Sequence, residues 1–118
     1  MGTVAGEMIT GTAGVDIIYG LGGNDLITAL EGDDIGCGGD GNDTLQSSFG
    51  IDQAFGEAGD DIVRRGDGND RVDGGAGTDQ VFGDQLDDAL TGGTGTERCD
   101  GGTGTDTAAT CESGINIP

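Results

Sequence analysis

The chain has 118 residues, with 23 acidic side chains against 4 basic ones, a formal net charge of −19, and no histidine or tryptophan. That length predicts a single domain, and three phenylalanines with one tyrosine exclude a broad aromatic core. The negative field excludes nucleic acid and anionic membranes as partners and favours cations.

No segment approaches the roughly 18 apolar residues of a membrane span. Residues 1–20 lack the basic start and apolar run of a signal peptide, which leaves export to a processed signal or a non-classical route. By composition, 28 glycines and this charge describe a disordered, self-repelling chain. The order of the residues says otherwise.

Cut every nine residues from Gly2, the chain reads GTVAGEMIT, GTAGVDIIY, GLGGNDLIT, ALEGDDIGC, GGDGNDTLQ, SSFGIDQAF, GEAGDDIVR, RGDGNDRVD, GGAGTDQVF, GDQLDDALT, GGTGTERCD and GGTGTDTAA. These twelve blocks keep register to Ala109 without insertion or deletion. The sixth column is acidic throughout: Glu7, Asp16, Asp25, Asp34, Asp43, Asp52, Asp61, Asp70, Asp79, Asp88, Glu97 and Asp106. The fourth is glycine except at Ala5 and Leu86, and eight residues of the eighth are large aliphatics. A solvated Gly-rich linker has no reason to keep aliphatics nine apart.

Columns one to six predict a turn, where glycine permits positive φ and lets carbonyl oxygens crowd one point. Columns seven to nine predict a three-residue strand, with column eight facing one way and its neighbours the other. In chain order the predicted strands are 8–10, 17–19, 26–28, 35–37, 44–46, 53–55, 62–64, 71–73, 80–82, 89–91, 98–100 and 107–109. A short strand with one aliphatic cannot stand alone, but stacked strands share an apolar stripe. Two blocks make one circuit of 18 residues, so the fold class is all-β: a parallel β-roll solenoid of about six turns and two short-stranded sheets, about 30 Å long at roughly 4.8 Å per strand. Odd blocks line one edge and one sheet, and even blocks line the other. The roll spans residues 2–109, and 110–118 form a C-terminal capping tail.

Coiling sets each sixth-column carboxylate beside the one eighteen residues on. Two like charges at 4 Å repel by about 1 kcal/mol even in water, so a cation is needed. Calcium takes 6 to 8 oxygens at about 2.3–2.6 Å and tolerates irregular geometry, whereas magnesium demands a tight octahedron. Zinc and copper prefer His and Cys. Five gaps on each edge make about ten sites, and ten divalent ions would roughly offset the formal −19. A metal-free solenoid would carry its carboxylates for no evident gain.

The recurring GGxGxDxUx pattern resembles the RTX nonapeptide repeat, the haemolysin-type calcium-binding repeat of secreted bacterial proteins. The resemblance covers residues 11–109 well and 2–10 loosely. It implies a right-handed parallel β-roll, an extracellular location, and calcium held between successive turns by the sixth-position Asp and by backbone carbonyls. Block by block, that role falls on Asp16, Asp25, Asp34, Asp43, Asp52, Asp61, Asp70, Asp79, Asp88 and Asp106. Carbonyls of the turn glycines, Gly23, Gly41, Gly59 and Gly77 among them, supply the remaining oxygens. GLGGND, GGDGND, GEAGDD and GGAGTD match best, and all four belong to the odd edge. Glu7, Glu97 and Leu86 depart from the pattern. Calcium binding and folding are expected to be one event.

Three cysteines are an odd count. Cys99 and Cys111 bracket the last turn, either as a disulfide that caps the roll or as two free thiols. The tail is expected to cover the last stripe with Ile115 or Ile117, and Pro118 to stop further pairing. Cys37 faces outward in column nine among Ile17, Tyr19, Ile35 and Phe55. That apolar patch predicts self-association or a partner surface, against scattered surface hydrophobes or a face covered by a neighbouring domain. A Cys37-linked dimer is a further reading.

No catalytic constellation appears, and Ser47 and Ser48 have no partner pattern. The leading function is a calcium-folded secreted module. The alternatives are an ice-binding face built on Thr94, Thr96, Thr103 and Thr105, or a structural spacer in a longer adhesin.

Overall fold

The computed structural model of the chain describes residues 6–109, 111 and 113–115. Among these described residues thirteen strands build two parallel sheets. The odd strands are β1 (Met8–Thr10), β3 (Leu26–Thr28), β5 (Thr44–Gln46), β7 (Ile62–Arg64), β9 (Gln80–Phe82), β11 (Arg98–Asp100) and β13 (Ser113–Ile115), neighbours in that order. The even strands are β2 (Ile17–Tyr19), β4 (Ile35–Asp40), β6 (Gln53–Ala58), β8 (Arg71–Gly77), β10 (Ala89–Gly95) and β12 (Thr107–Ala109), again in order. Each residue pairs with the one eighteen later: Ile27 with Leu45, Leu45 with Val63, Gly36 with Ala54. The chain is therefore a β-solenoid of about six 18-residue coils. Its extents of 38 × 31 × 13 Å make it a thin slab, as expected for two sheets packed about 10 Å apart.

Column eight faces inward. Ile27, Leu45, Val63, Val81 and Cys99 from the odd sheet meet Ile18, Ala54, Val72 and Leu90 from the even sheet, all buried. At the open end of the even sheet Ala108 stays exposed. Columns seven and nine face outward. On the even sheet this stacks Ile17 on Ile35, and Tyr19 on Cys37 on Phe55. Ile17 and Tyr19 are exposed, whereas Ile35, Cys37 and Phe55 are half-buried.

The three-residue expectation holds for the odd strands but not for β4, β6, β8 and β10, which run for six or seven residues. Their ladders continue through the odd-edge turns, pairing Gly75 with Gly93 and Gly77 with Gly95. Glycines at positive φ let these turn backbones lie flat on one another. Even-edge turns keep only single bridges in column three: Glu31 to Phe49, Phe49 to Asp67, Asp67 to Gln85 and Gln85 to Thr103. The two edges therefore differ in backbone as well as in sequence.

The end of the roll breaks the repeat. β13 pairs with β11 at Arg98–Ser113, fifteen residues apart. Cys99 and Cys111 form a disulfide with a Cα–Cα distance of 5.9 Å, so the bridged alternative is the one realised. Ile117 and Pro118 lie outside the described residues.

Candidate metal centre

The sixth-column residues Asp25, Asp34, Asp43, Asp52, Asp61, Asp70, Asp79, Asp88, Glu97 and Asp106 are each only 1–3% exposed. Charged groups this deep require partners. Half of each aspartate is satisfied by the fold: Oδ1 accepts the backbone N–H of the sixth-column residue one coil earlier, at 2.7–2.9 Å. Asp43 Oδ1 takes the Asp25 amide, and Asp61 Oδ1 takes the Asp43 amide.

The second oxygen is not satisfied. Oδ2 of Asp25, Asp34, Asp43, Asp61, Asp70, Asp79, Asp88 and Asp106 is buried with no hydrogen-bond partner. Two aspartates differ: Ser47 Oγ donates to Asp52 Oδ2, and the Thr12 amide and hydroxyl donate to Asp16. Glu97 breaks the ladder geometry, for both its carboxylate oxygens are buried and unpartnered.

Burial, the largest cause, raises the proton affinity of Asp34, Asp43, Asp61, Asp70, Asp79 and Asp88. The backbone hydrogen bond opposes it and neighbouring carboxylates reinforce it. Asp61 and Asp88 are pushed up to about 7, and Asp70 and Asp79 to about 6. Asp34 and Asp43 rise for the same reasons.

The orphaned oxygens point over the column-one residue of their own turn. A Cβ placed on Gly38 would lie 2.5 Å from Asp43 Oδ2 and 2.9 Å from the Gly56 carbonyl of the next coil. On Gly56 it would lie 2.6 Å from Asp61 Oδ2 and 2.5 Å from the Gly74 carbonyl. On Gly74 it would lie 2.9 Å from Asp79 Oδ2 and 2.6 Å from the Gly92 carbonyl. Gly20 repeats the arrangement with Asp25 Oδ2 and the Gly38 carbonyl. The odd turns headed by Gly20, Gly38, Gly56 and Gly74 thus each enclose a small cradle lined by one anionic and one carbonyl oxygen, the hard oxygen type that calcium takes. These oxygens fit that ion and offer no soft ligand. Among the described residues no three acidic, His or Cys side chains converge on one point, so backbone carbonyls must complete any shell.

The even edge is poorer. At Gly83 and Gly101 the three nearest atoms all belong to the turn's own Asp88 or Asp106. Ala29, Ser47 and Arg65 replace glycine at column one in three consecutive even turns.

Gly23, Gly41, Gly59 and Gly77 have positive φ, between 88° and 137°. The carbonyls of Gly23, Gly41 and Gly59 abut the column-four glycine of the next coil, where any Cβ would collide. The carbonyls of Gly38, Gly56, Gly74 and Gly92 lie, with the orphaned Oδ2 atoms, over the column-one glycines of the preceding odd turns.

Three features were missed by the sequence reading. One is this column-one carbonyl row. Another is a second ladder in column five, running the opposite way: Asn24 Oδ1 accepts the Asn42 amide, Asn42 Oδ1 the Asp60 amide, and Asp60 Oδ1 the Thr78 amide. The Asn and Asp residues of column five were its signal. The third is Arg65, a buried cation in column one.

No curated protein shows a significant sequence match to the chain. The family profile of the RTX calcium-binding nonapeptide repeat does, over residues 1–36, 10–45, 38–72, 66–90 and 73–108. The eighteen-residue coils, the buried acidic column and these matches agree that the chain belongs to the RTX calcium-binding nonapeptide-repeat family.

Proposed function

We propose that this chain is a calcium-folded module of an exported bacterial protein, with ions held between successive odd-edge turns. Asp25, Asp43, Asp61 and Asp79 supply carboxylate oxygens, and the column-one carbonyls of the following coil supply neutral ones. The observation that carries this reading is the odd-edge row of buried, unpartnered Oδ2 atoms, those of Asp25, Asp43, Asp61 and Asp79, each in a cradle with a carbonyl oxygen. The even-edge acids Asp16, Asp34, Asp52, Asp70, Asp88 and Asp106 form a second, weaker row.

Without the ion, charge repulsion and glycine entropy oppose folding, and the core is one aliphatic deep. With it, binding free energy becomes folding free energy. Extracellular calcium modules bind at about 10⁻⁴–10⁻³ M, so a calcium-poor cytosol holds the chain open for export and a calcium-rich exterior folds it. Far-UV circular dichroism during a calcium titration tests this. The spectrum is expected to turn β-rich only as calcium is added; a β-rich spectrum in excess chelator would refute the coupling.

The ice-binding alternative gains nothing from the fold. Thr94 and Thr96 belong to an odd-edge turn and Thr103 and Thr105 to an even-edge one, so they do not share a flat face.

A further inference from the structure

Arg65 occupies a column-one position that is glycine in every odd block. It is nonetheless 1% exposed, among the most deeply buried side chains of the roll. A guanidinium is rarely buried without a reason.

Its place is prepared by two other departures from the repeat. Column eight is Gly36 in β4 and Ala54 in β6, neighbours on the even sheet. These are the small members of the inward row inside the roll, Ala108 lying at its end. The nearest atom to a Cβ built on Gly36 is Arg65 Nη2, at 3.6 Å, followed by Leu45 Cδ2 at 3.7 Å. The guanidinium therefore stands where the missing aliphatic would pack. Nη2 donates to the Gln53 carbonyl at 3.3 Å, while Nε is buried with no partner.

The electrostatic surroundings are those of the even edge. Burial lowers the proton affinity of the guanidinium, and Asp52, Asp70 and Asp34 are the chief groups that raise it again. These are the sixth-column acids of three consecutive even turns. The column-one residues of those same turns, Ala29, Ser47 and Arg65, put side chains into the space that the odd turns leave open. Ser47 has already taken Asp52 Oδ2.

We propose that Arg65 is a built-in counter-cation that replaces calcium along the middle of the even edge, confining metal loading there to the ends. Seated in column one of the Asp70 turn and bonded to the Gln53 carbonyl beside Asp52, the fixed charge acts through space rather than as an ion pair: it offsets the mutual repulsion of Asp34, Asp52 and Asp70 and repels a divalent ion from the same turns. The inference rests on the calcium reading above and specifies which of its two rows is loaded.

The test is the number of calcium ions per folded chain, counted by native mass spectrometry and by calorimetric titration. The parent is compared with Arg65→Gly and with the double variant Gly36→Val/Arg65→Gly. The double variant refills the emptied core with an aliphatic and converts the turn to GGDGND. Circular dichroism confirms folding in each sample. At least one additional ion is expected in the variants, with the extra site lost again on adding Asp70→Asn. An unchanged ion count in a folded variant overturns the proposal and leaves Arg65 a space-filler. Failure of the double variant to fold in calcium also counts against it, because the two changes should restore the arrangement the odd edge already has. A parent chain that binds no calcium would instead defeat the functional reading itself.

Discussion

At Asp61 the two carboxylate oxygens live in different circumstances. Oδ1 holds the Asp43 amide at 2.8 Å, and Oδ2 is buried with nothing to bind. Burial and the flanking charges of Asp43 and Asp79 push its pKa up to about 7. Asp61→Asn keeps an oxygen for the ladder and removes the charge, so its effect should change sign with calcium. In chelator the variant should be the more stable chain, because a buried uncompensated charge is gone. In calcium it should need about tenfold more ion to fold, the equivalent of one charge-assisted contact of roughly 1.5 kcal/mol. Paired calcium and denaturant titrations measure both arms. A loss of stability in chelator would show that the charge itself is already neutralised by the protein.

Three-residue strands bearing one buried aliphatic gain their stability only by stacking. The last described coil carries the disulfide. Cys99 takes the column-eight place and is fully buried, and its bridge to Cys111 holds the segment that leads into β13. The loop closes over a separation of 12 residues, for which chain entropy gives about 3 kcal/mol. Reduction, or Cys111→Ala, should therefore lower the denaturant midpoint in saturating calcium by a matching amount. Hydrogen exchange should rise first in β11 and β13. Unchanged exchange there after reduction would mean that strand pairing alone holds the end.

Much at this scale was legible in the sequence. Column eight announced the core because burial selects side chains, and the phase of Ile27, Leu45 and Val63 is visible as letters. The six- and seven-residue even strands were not legible, because the pairing of Gly75 with Gly93 is made by backbone and leaves no side-chain mark. The column-one carbonyl oxygens were hidden for the same reason. Arg65 was in plain view, yet its meaning depends on knowing that its side chain reaches Gly36, twenty-nine residues away, across the core.

For the molecule as a whole, the raised acids tie stability to pH in an unusual direction. In the metal-free roll Asp61, Asp88, Asp70 and Asp79 keep their protons up to about 6 or 7, whereas in the unfolded chain they lose them near 3.8. The folded state then binds more protons across that window, so metal-free stability falls as pH rises from about 4 to about 7. In chelator the β-rich signal should be stronger at pH 5 than at pH 8. With calcium the order should reverse, since protons and the ion compete for the same oxygens. Circular dichroism at the two pH values, with and without calcium, checks this. A chelated chain equally unfolded at both would show that protonation does not substitute for the metal.

The pairing of residues eighteen apart from β1 through β12 also limits how such a chain can change length. Duplicating or losing a whole coil leaves every remaining side chain on its own side of the slab. Losing a single nonapeptide acts like a reading-frame error in three dimensions: all later blocks trade sides, and downstream of the lesion the Gly-rich cradles would stack on Ala29- and Ser47-type turns. Lineages that grow or shorten this roll are therefore expected to do so in whole coils.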